Sequence, residues 1–150
     1  MKKRQQFETA RAIAALRQLQ LERARMDTLR VAQAYDSSVA HEQSLQSNLD
    51  AHLDGWRDAM QASGGLSPSL AANWSGAAGS IRAACVDARQ CTQNAADQLE
   101  QQRAAMARHE QQAEHARNAV GRAKRQFERH CDEQRASRIE DMYLSQENRA

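Results

Sequence analysis

The chain is short of almost everything that interrupts a helix or fills a layered core. Its 150 residues include one proline, six glycines, two phenylalanines, two tyrosines and two tryptophans. With aromatics at 4% and a mean hydropathy of −0.85, a compact globular core would lack filling. Lysine is scarce as well: Lys2, Lys3 and Lys124 are the only ones, so the positive charge is almost all arginine and the net charge is only +2. A nucleic-acid binder ordinarily concentrates a larger basic excess on one face. The basic stretches "MKKRQQ" and "GRAKRQFERH" read instead as solvated coiled-coil faces.

Two further absences bound the compartment. No apolar run approaches the roughly 20 residues that cross a bilayer, and the N-terminal stretch has no uninterrupted apolar segment of the signal-peptide kind. A cytoplasmic protein without direct membrane insertion is expected. The cysteines Cys85, Cys91 and Cys131 are odd in number and lack CxxC spacing, which argues against a disulfide framework and a metal site. They read as small residues of a helical seam.

What the chain does have is alanine. Of its 41% hydrophobic residues, 29 are Ala, the best helix former and a poor core filler. With abundant Gln, Arg and Glu, this composition suits long exposed helices joined along one narrow buried seam. Tyr35, Val39, Leu49, Leu53, Trp56 and Met60 recur at spacings built from three and four, with Glu42 and Gln46 at polar seam positions. Ile13, Leu16, Leu19, Met26 and Leu29 give a looser version of the rhythm, which implies a register slip between Leu29 and Tyr35. In the second half the pattern runs from Ile81, Cys85 and Ala88 through Thr92, Ala95 and Gln102 to His109 and Ala123. Leu99, Met106, Val120 and Phe127 share one heptad position within it.

Between the two periodic segments lies "QASGGLSPSLAANWSG", residues 61 to 76, with the only proline. Gly64 and Gly65 can end a helix through a left-handed backbone, while Ser67 and Pro68 form an N-cap and first-turn pair. So short a connection between long helices makes them antiparallel neighbours. The expected fold is all-α, a long two-helix antiparallel coiled coil forming one domain over residues 1–150. Helix one is expected at 3–62, the bend at 63–67, a short separate helix or kink at 68–79, and helix two at 80–146. If the bend centres on Gly65, facing residues have numbers summing to about 130. That pairs Met60 with Leu70, Trp56 with Trp74, Leu49 with Ile81, Tyr35 with Ala95 and Phe7 with Ala123. The final residues then overhang the partner helix and expose Ile139, Met142, Tyr143 and Leu144.

No Walker loop, GxSxG or HExxH is present, and a two-helix seam offers no pocket in which catalytic groups converge. The expectation is a protein that is not an enzyme and carries no cofactor or metal. His109 lies in the seam as a register-setting polar residue.

In length, in its basic start before "FETARAIAALRQLQ", in the central "GGLSPSLAANWSGAAGSIRAA" and in the charged close "RHCDEQRASRIEDMYLSQ", the chain resembles a known family. These are the coiled-coil stalk proteins of type III secretion, the flagellar FliJ and virulence-associated YscO/HrpO (SctO) group. The resemblance implies a hairpin similar to the rotor stalk of rotary ATPases, without an active site and monomeric in isolation. Such a stalk enters the hexameric secretion ATPase, links it to the export-gate membrane protein and promotes ATPase assembly and protein export. Some members also bind export chaperones. The resemblance assigns the ATPase side to Lys2, Lys3, Arg4 and Phe7 with Arg129, Arg135, Arg138, Asp141, Met142 and Tyr143. It assigns the gate side to Trp74, Ile81, Cys85 and Ala88. Two other readings stay open: a generic adaptor or chaperone escort that dimerises along its seam, and an arginine-rich nucleic-acid-binding arm.

Overall fold

The computed structural model describes residues 2–147; the first residue and the last three of the expected domain fall outside them. Two helices, α1 (Lys2–Gln61) and α2 (Pro68–Glu147), account for the secondary structure of the described residues. The chain is an all-α helical hairpin.

The reversal uses the residues that the sequence marks. Gly65 is the glycine with positive φ, 62°, and its N–H donates to the carbonyl of Ala62 at 3.0 Å. A side chain at that φ would be strained, which is why glycine stands there. Ser67 caps α2: its Oγ accepts from the N–H of Leu70 at 3.3 Å, and its carbonyl accepts from Ala71 at 2.9 Å. Pro68 follows as the first helical residue, where its missing N–H costs no helical bond. The glycines Gly76 and Gly79 do not divide α2, which runs without interruption from Pro68 to Glu147. The separate short helix is therefore absent, and Ser80 begins nothing. Flanking Ala71, Ala72, Ala77 and Ala78 are strong helix formers that carry the backbone through, and Ala78 is itself buried.

The chain divides into two compact units, one built from residues up to Arg25 with those from Ala105 onward, the other from Met26–Ala104. In the second unit the buried and half-buried positions on α1 include Thr28, Val31, Tyr35, Ser38, Glu42, Leu45, Leu49, His52 and Trp56, an alternation of three and four, with Val39, Gln46 and Leu53 half-buried beside it. On α2 the matching row is Trp74, Ala78, Ile81, Cys85, Ala88, Thr92, Ala95 and Leu99. This alternation averages 3.5 residues, the period that keeps a seam facing its partner helix.

In the first unit Phe7, Ala10, Ala14, Arg17, Leu21 and Ala24 are the corresponding α1 positions, facing α2 at Met106, His109, Ala113, Ala116, Val120 and Phe127. Leu21 is 1% exposed and Ala113 likewise 1%. Alanines there let the backbones approach closely enough for Leu21 to be covered on all sides, a burial that contributes about 1.5–3 kcal/mol.

This corrects the expected seam. Ile13, Leu16, Leu19, Met26 and Leu29 are 49–68% exposed. The step from Ala24 to Thr28 is four residues, so the heptad count passes between Leu29 and Tyr35 without a slip. Met60 and Leu70 are also largely exposed, and Cys91 is exposed instead of lying in the seam.

At the bend Trp56 meets Trp74 as expected, with ring centroids 6.0 Å apart; farther from it the register is displaced from the expected one by about one helical turn. Phe7 stacks on Phe127, with centroids 6.1 Å apart and planes at 8°, instead of meeting Ala123. Tyr35 shares a hollow with Leu99, next to Ala96, rather than pairing with Ala95. The same register sets Leu49 against Cys85, both buried, in place of Ile81.

Candidate partner-binding surfaces

In the unit holding the chain ends, the stacked Phe7 and Phe127 fix where α1 stops relative to α2. Lys2 lies five residues before Phe7 and so comes level with residues near 132. Every residue from Asp132 to Glu147 is exposed, because no α1 residue remains to cover α2 there. Ile139, Met142, Tyr143 and Leu144 are 55–68% exposed on this overhang. Ile139, Met142, Tyr143 and Gln146 shape a shallow hollow of about 210 Å³. The candidate residues Lys2, Lys3, Arg4, Arg129, Arg135, Arg138 and Asp141 are exposed at the same end. Phe7 is half-buried by its stacking, with the Arg11 guanidinium 5.8 Å above its ring. The ion pairs here, Arg4 with Glu8 at 3.0 Å and Arg135 with Asp132 at 3.6 Å, lie within one helix and are exposed. Such pairs are worth tenths of a kcal/mol and can be exchanged for a partner's charges.

The other end is organised around Trp74. Its ring stacks on His52, centroids 4.7 Å apart, and meets Trp56 edge-on at 6.0 Å. His52 Nε2 lies 3.0 Å from the Trp74 carbonyl oxygen, so the tautomer protonated at Nε2 donates that hydrogen bond. A groove of about 370 Å³ runs beside this cluster, lined by His52, Leu53, Trp56, Ser75, Ala78, Gly79 and Arg82. Of the candidate gate residues, Cys85 and Ala88 are each 5% exposed in the seam. They have no surface to offer a partner, because knobs packed between two helices are already covered. Trp74 and Ile81 are half-buried. What this end presents outward is the groove, in which Leu53, a seam position by its spacing, joins His52, Ser75, Gly79 and Arg82. Leu53, Ser75, Gly79 and Arg82 each lie one residue after a seam residue, on the flank of the stripe that holds His52.

Ile13, Leu16 and Leu19, which their spacing assigns to the seam, form an outward row instead. Beside it, Lys2, Gln5, Gln6, Thr9, Ala10 and Ile13 line a groove of about 410 Å³ on α1. Among the described residues no group of three His, Cys, Asp or Glu side chains is placed to hold a metal, and no helix is long and apolar enough to cross a membrane.

Comparison of the chain with protein-family models, curated proteins and solved structures returns no match.

Proposed function

We propose that the protein is a stalk of a type III secretion system. Its terminal end enters the pore of a hexameric export ATPase, and its opposite end contacts the export gate. The reading rests on the resemblance in sequence and is supported by the helical hairpin. The single observation that carries it is the uncovered overhang of α2, where Ile139, Met142 and Tyr143 stand exposed among charges beside Lys2, Lys3 and Arg4. Apolar and aromatic groups left uncovered beside exchangeable ion pairs suit capture by another protein.

In this role the hairpin catalyses nothing. It transmits contact: the overhang supplies an aromatic and aliphatic anchor, the basic start of α1 supplies orientation, and the seam keeps both on a stiff support. At the gate side the contact falls on the groove beside Trp74 and not on Cys85 or Ala88. Export chaperones are further partners on this reading. The adaptor reading keeps one observation in its favour, the outward row of Ile13, Leu16 and Leu19. The nucleic-acid reading is disfavoured because the net charge is only +2, without the basic excess on one face that such binding requires.

The test is ATP hydrolysis by the export ATPase of the same organism, measured with and without the chain. Stimulation is expected, and the double variant Met142→Ala/Tyr143→Ala should lose it while keeping its helical circular dichroism. A demonstrated complex with unchanged ATPase activity would overturn the reading.

A further inference from the structure

In the unit Met26–Ala104 the two flanks of the seam are unlike. Along one flank of α1 run Val39, Gln46, Leu53 and Met60, seven residues apart and each next to the seam row. Facing them on α2 are Ser75, Arg82 and Arg89, with Gly79 and Val86 on the shoulder beyond. The corresponding places on the other flank hold His41, Asn48 and Gly55 from α1 and Ala77, Ala84 and Cys91 from α2. The larger apolar side chains of these sets therefore stand on the first flank. Met60 is 57% exposed and Val86 63%, and Leu53 lines the groove of about 370 Å³ beside Trp56.

That groove is the bend end of a furrow between α1 and α2. The furrow closes at Arg89, whose guanidinium crosses to α1, 3.6 Å from Glu42 and 3.3 Å from Gln46. From Met60 to Gln46 it runs about 21 Å, the length of about four helical turns. Its inner wall is stiff before anything binds, because Trp56 abuts Trp74 and His52 stacks on Trp74. A preformed wall costs a partner little ordering.

Two features of the furrow have no use within the hairpin. Gly79 does not have a positive φ, and a Cβ on it would meet nothing within 4 Å. Alanine there would favour the helix, so the fold gains nothing from glycine, whereas close approach of another backbone does. Of the three arginines beside the furrow, Arg57 pairs with Asp54 and Arg89 with Glu42. Arg82 enters no ion pair among the described residues, although it lines the groove.

We propose that the furrow holds one amphipathic helix of the export-gate protein, lying along the hairpin as a third helix. Its apolar face rests on Leu53, Met60 and Val86, its backbone comes close at Gly79, and a carboxylate on it meets Arg82. A guanidinium and a carboxylate give a charge-assisted hydrogen bond, which fixes where along the furrow the helix sits. The occupant is a helix because rows repeating every seven residues match helical knobs. An extended segment would need a strand edge, and the described residues form only the two helices. One helix in one furrow is a small contact, the kind that transient partners make. The inference rests on the reading of this end as the gate contact and adds which flank is used and what chemistry it takes.

The experiment is calorimetric titration of the full chain with the cytoplasmic part of the export-gate protein from the same organism. Gly79→Leu fills the furrow and Arg82→Glu reverses its charge; each should weaken binding about tenfold or more. Gly79→Leu should keep or raise the unfolding midpoint, since leucine is the better helix former, so its loss of binding is not loss of fold. Asn48→Leu, on the other flank, should bind as the native chain does. Hydrogen exchange on the gate protein should show one continuous stretch of about four turns protected in the complex. Equal binding by all the variants, an equal loss in Asn48→Leu, or protection scattered over separate loops would overturn the furrow and leave the gate contact standing. Failure of the native chain to bind the gate protein would overturn both.

Discussion

The edge of the Trp74 indole occupies the space where a side chain on Gly55 would begin: Cη2 lies 2.8 Å and Cζ3 3.2 Å from the position a Cβ would take. Gly55 is therefore the socket for the tryptophan that holds the reversal. The ring has no easy retreat, because His52 stacks on it and Trp56 abuts its edge.

Gly55→Ala sets two effects against each other. Alanine gains about 1 kcal/mol of helix propensity, and displacing a packed ring costs about 1–3 kcal/mol. The steric term should win, lowering stability by about 1 kcal/mol in urea unfolding and changing the near-ultraviolet circular dichroism of the tryptophans. A stabilised Gly55→Ala protein with unaltered tryptophan signals would show that the socket is not needed.

His109 carries a buried Nδ1 without a hydrogen-bond partner. Leaving a polar atom unpaired in the seam costs stability, and a leucine of similar volume would fill the position without that cost. His109→Leu should raise the unfolding free energy by about 1–2 kcal/mol. If the histidine specifies register, the same variant should also populate a second helix alignment, visible as doubled amide resonances. Equal or lower stability would mean that the imidazole has a favourable role.

Phe7→Ala removes one ring of the stack that fastens the start of α1. The position is near a helix end, so the lost contacts should appear as local fraying before they appear as global unfolding. Amides of residues 6 to 10, the first with helical hydrogen bonds, should lose exchange protection at least tenfold, while those around Leu49 keep theirs. Equal loss at both places would mean that Phe7 supports the whole hairpin.

Two ion pairs join the helices, Arg25 with Glu110 and Arg89 with Glu42, each at 3.6 Å. Both arginines and Glu110 are about half or more exposed, so screening leaves each pair worth under about 0.5 kcal/mol. Arg25→Gln and Arg89→Gln should each move the unfolding midpoint by no more than a degree or two. A larger loss would locate real stability in the surface charges.

The legible parts of the sequence were those where large residues and the heptad agreed. On α2, Leu99, Met106, Val120 and Phe127 occupy one heptad position, and all four are buried or half-buried. The reversal was legible because Gly65, Ser67 and Pro68 each have a specific backbone use. The first third of α1 misled for a physical reason. Its biggest apolar residues, Ile13, Leu16 and Leu19, step by threes, which lags the 3.5-residue period and winds off the seam. The true row there is Ala10, Ala14, Leu21 and Ala24, three alanines whose small size hides them from a search for hydrophobic bulk. At the terminal end the overhang was legible as a surplus of chain on α2. At the bend the groove was not, since it is assembled from flanking residues of both helices.

The central claim is that α1 and α2 of one chain pair in the register that sets Leu49 against Cys85. Leu49→Cys, in a chain whose Cys91 and Cys131 are replaced by serine, tests it with the native Cys85 as partner. Mild oxidation at low protein concentration should give a disulfide within one chain, migrating faster than the reduced form under denaturing electrophoresis. It should form more completely than the bond between Leu49→Cys and Ile81→Cys in a chain also carrying Cys85→Ala. A disulfide-linked dimer, or preferential closure of the 49 to 81 pair, would contradict the account.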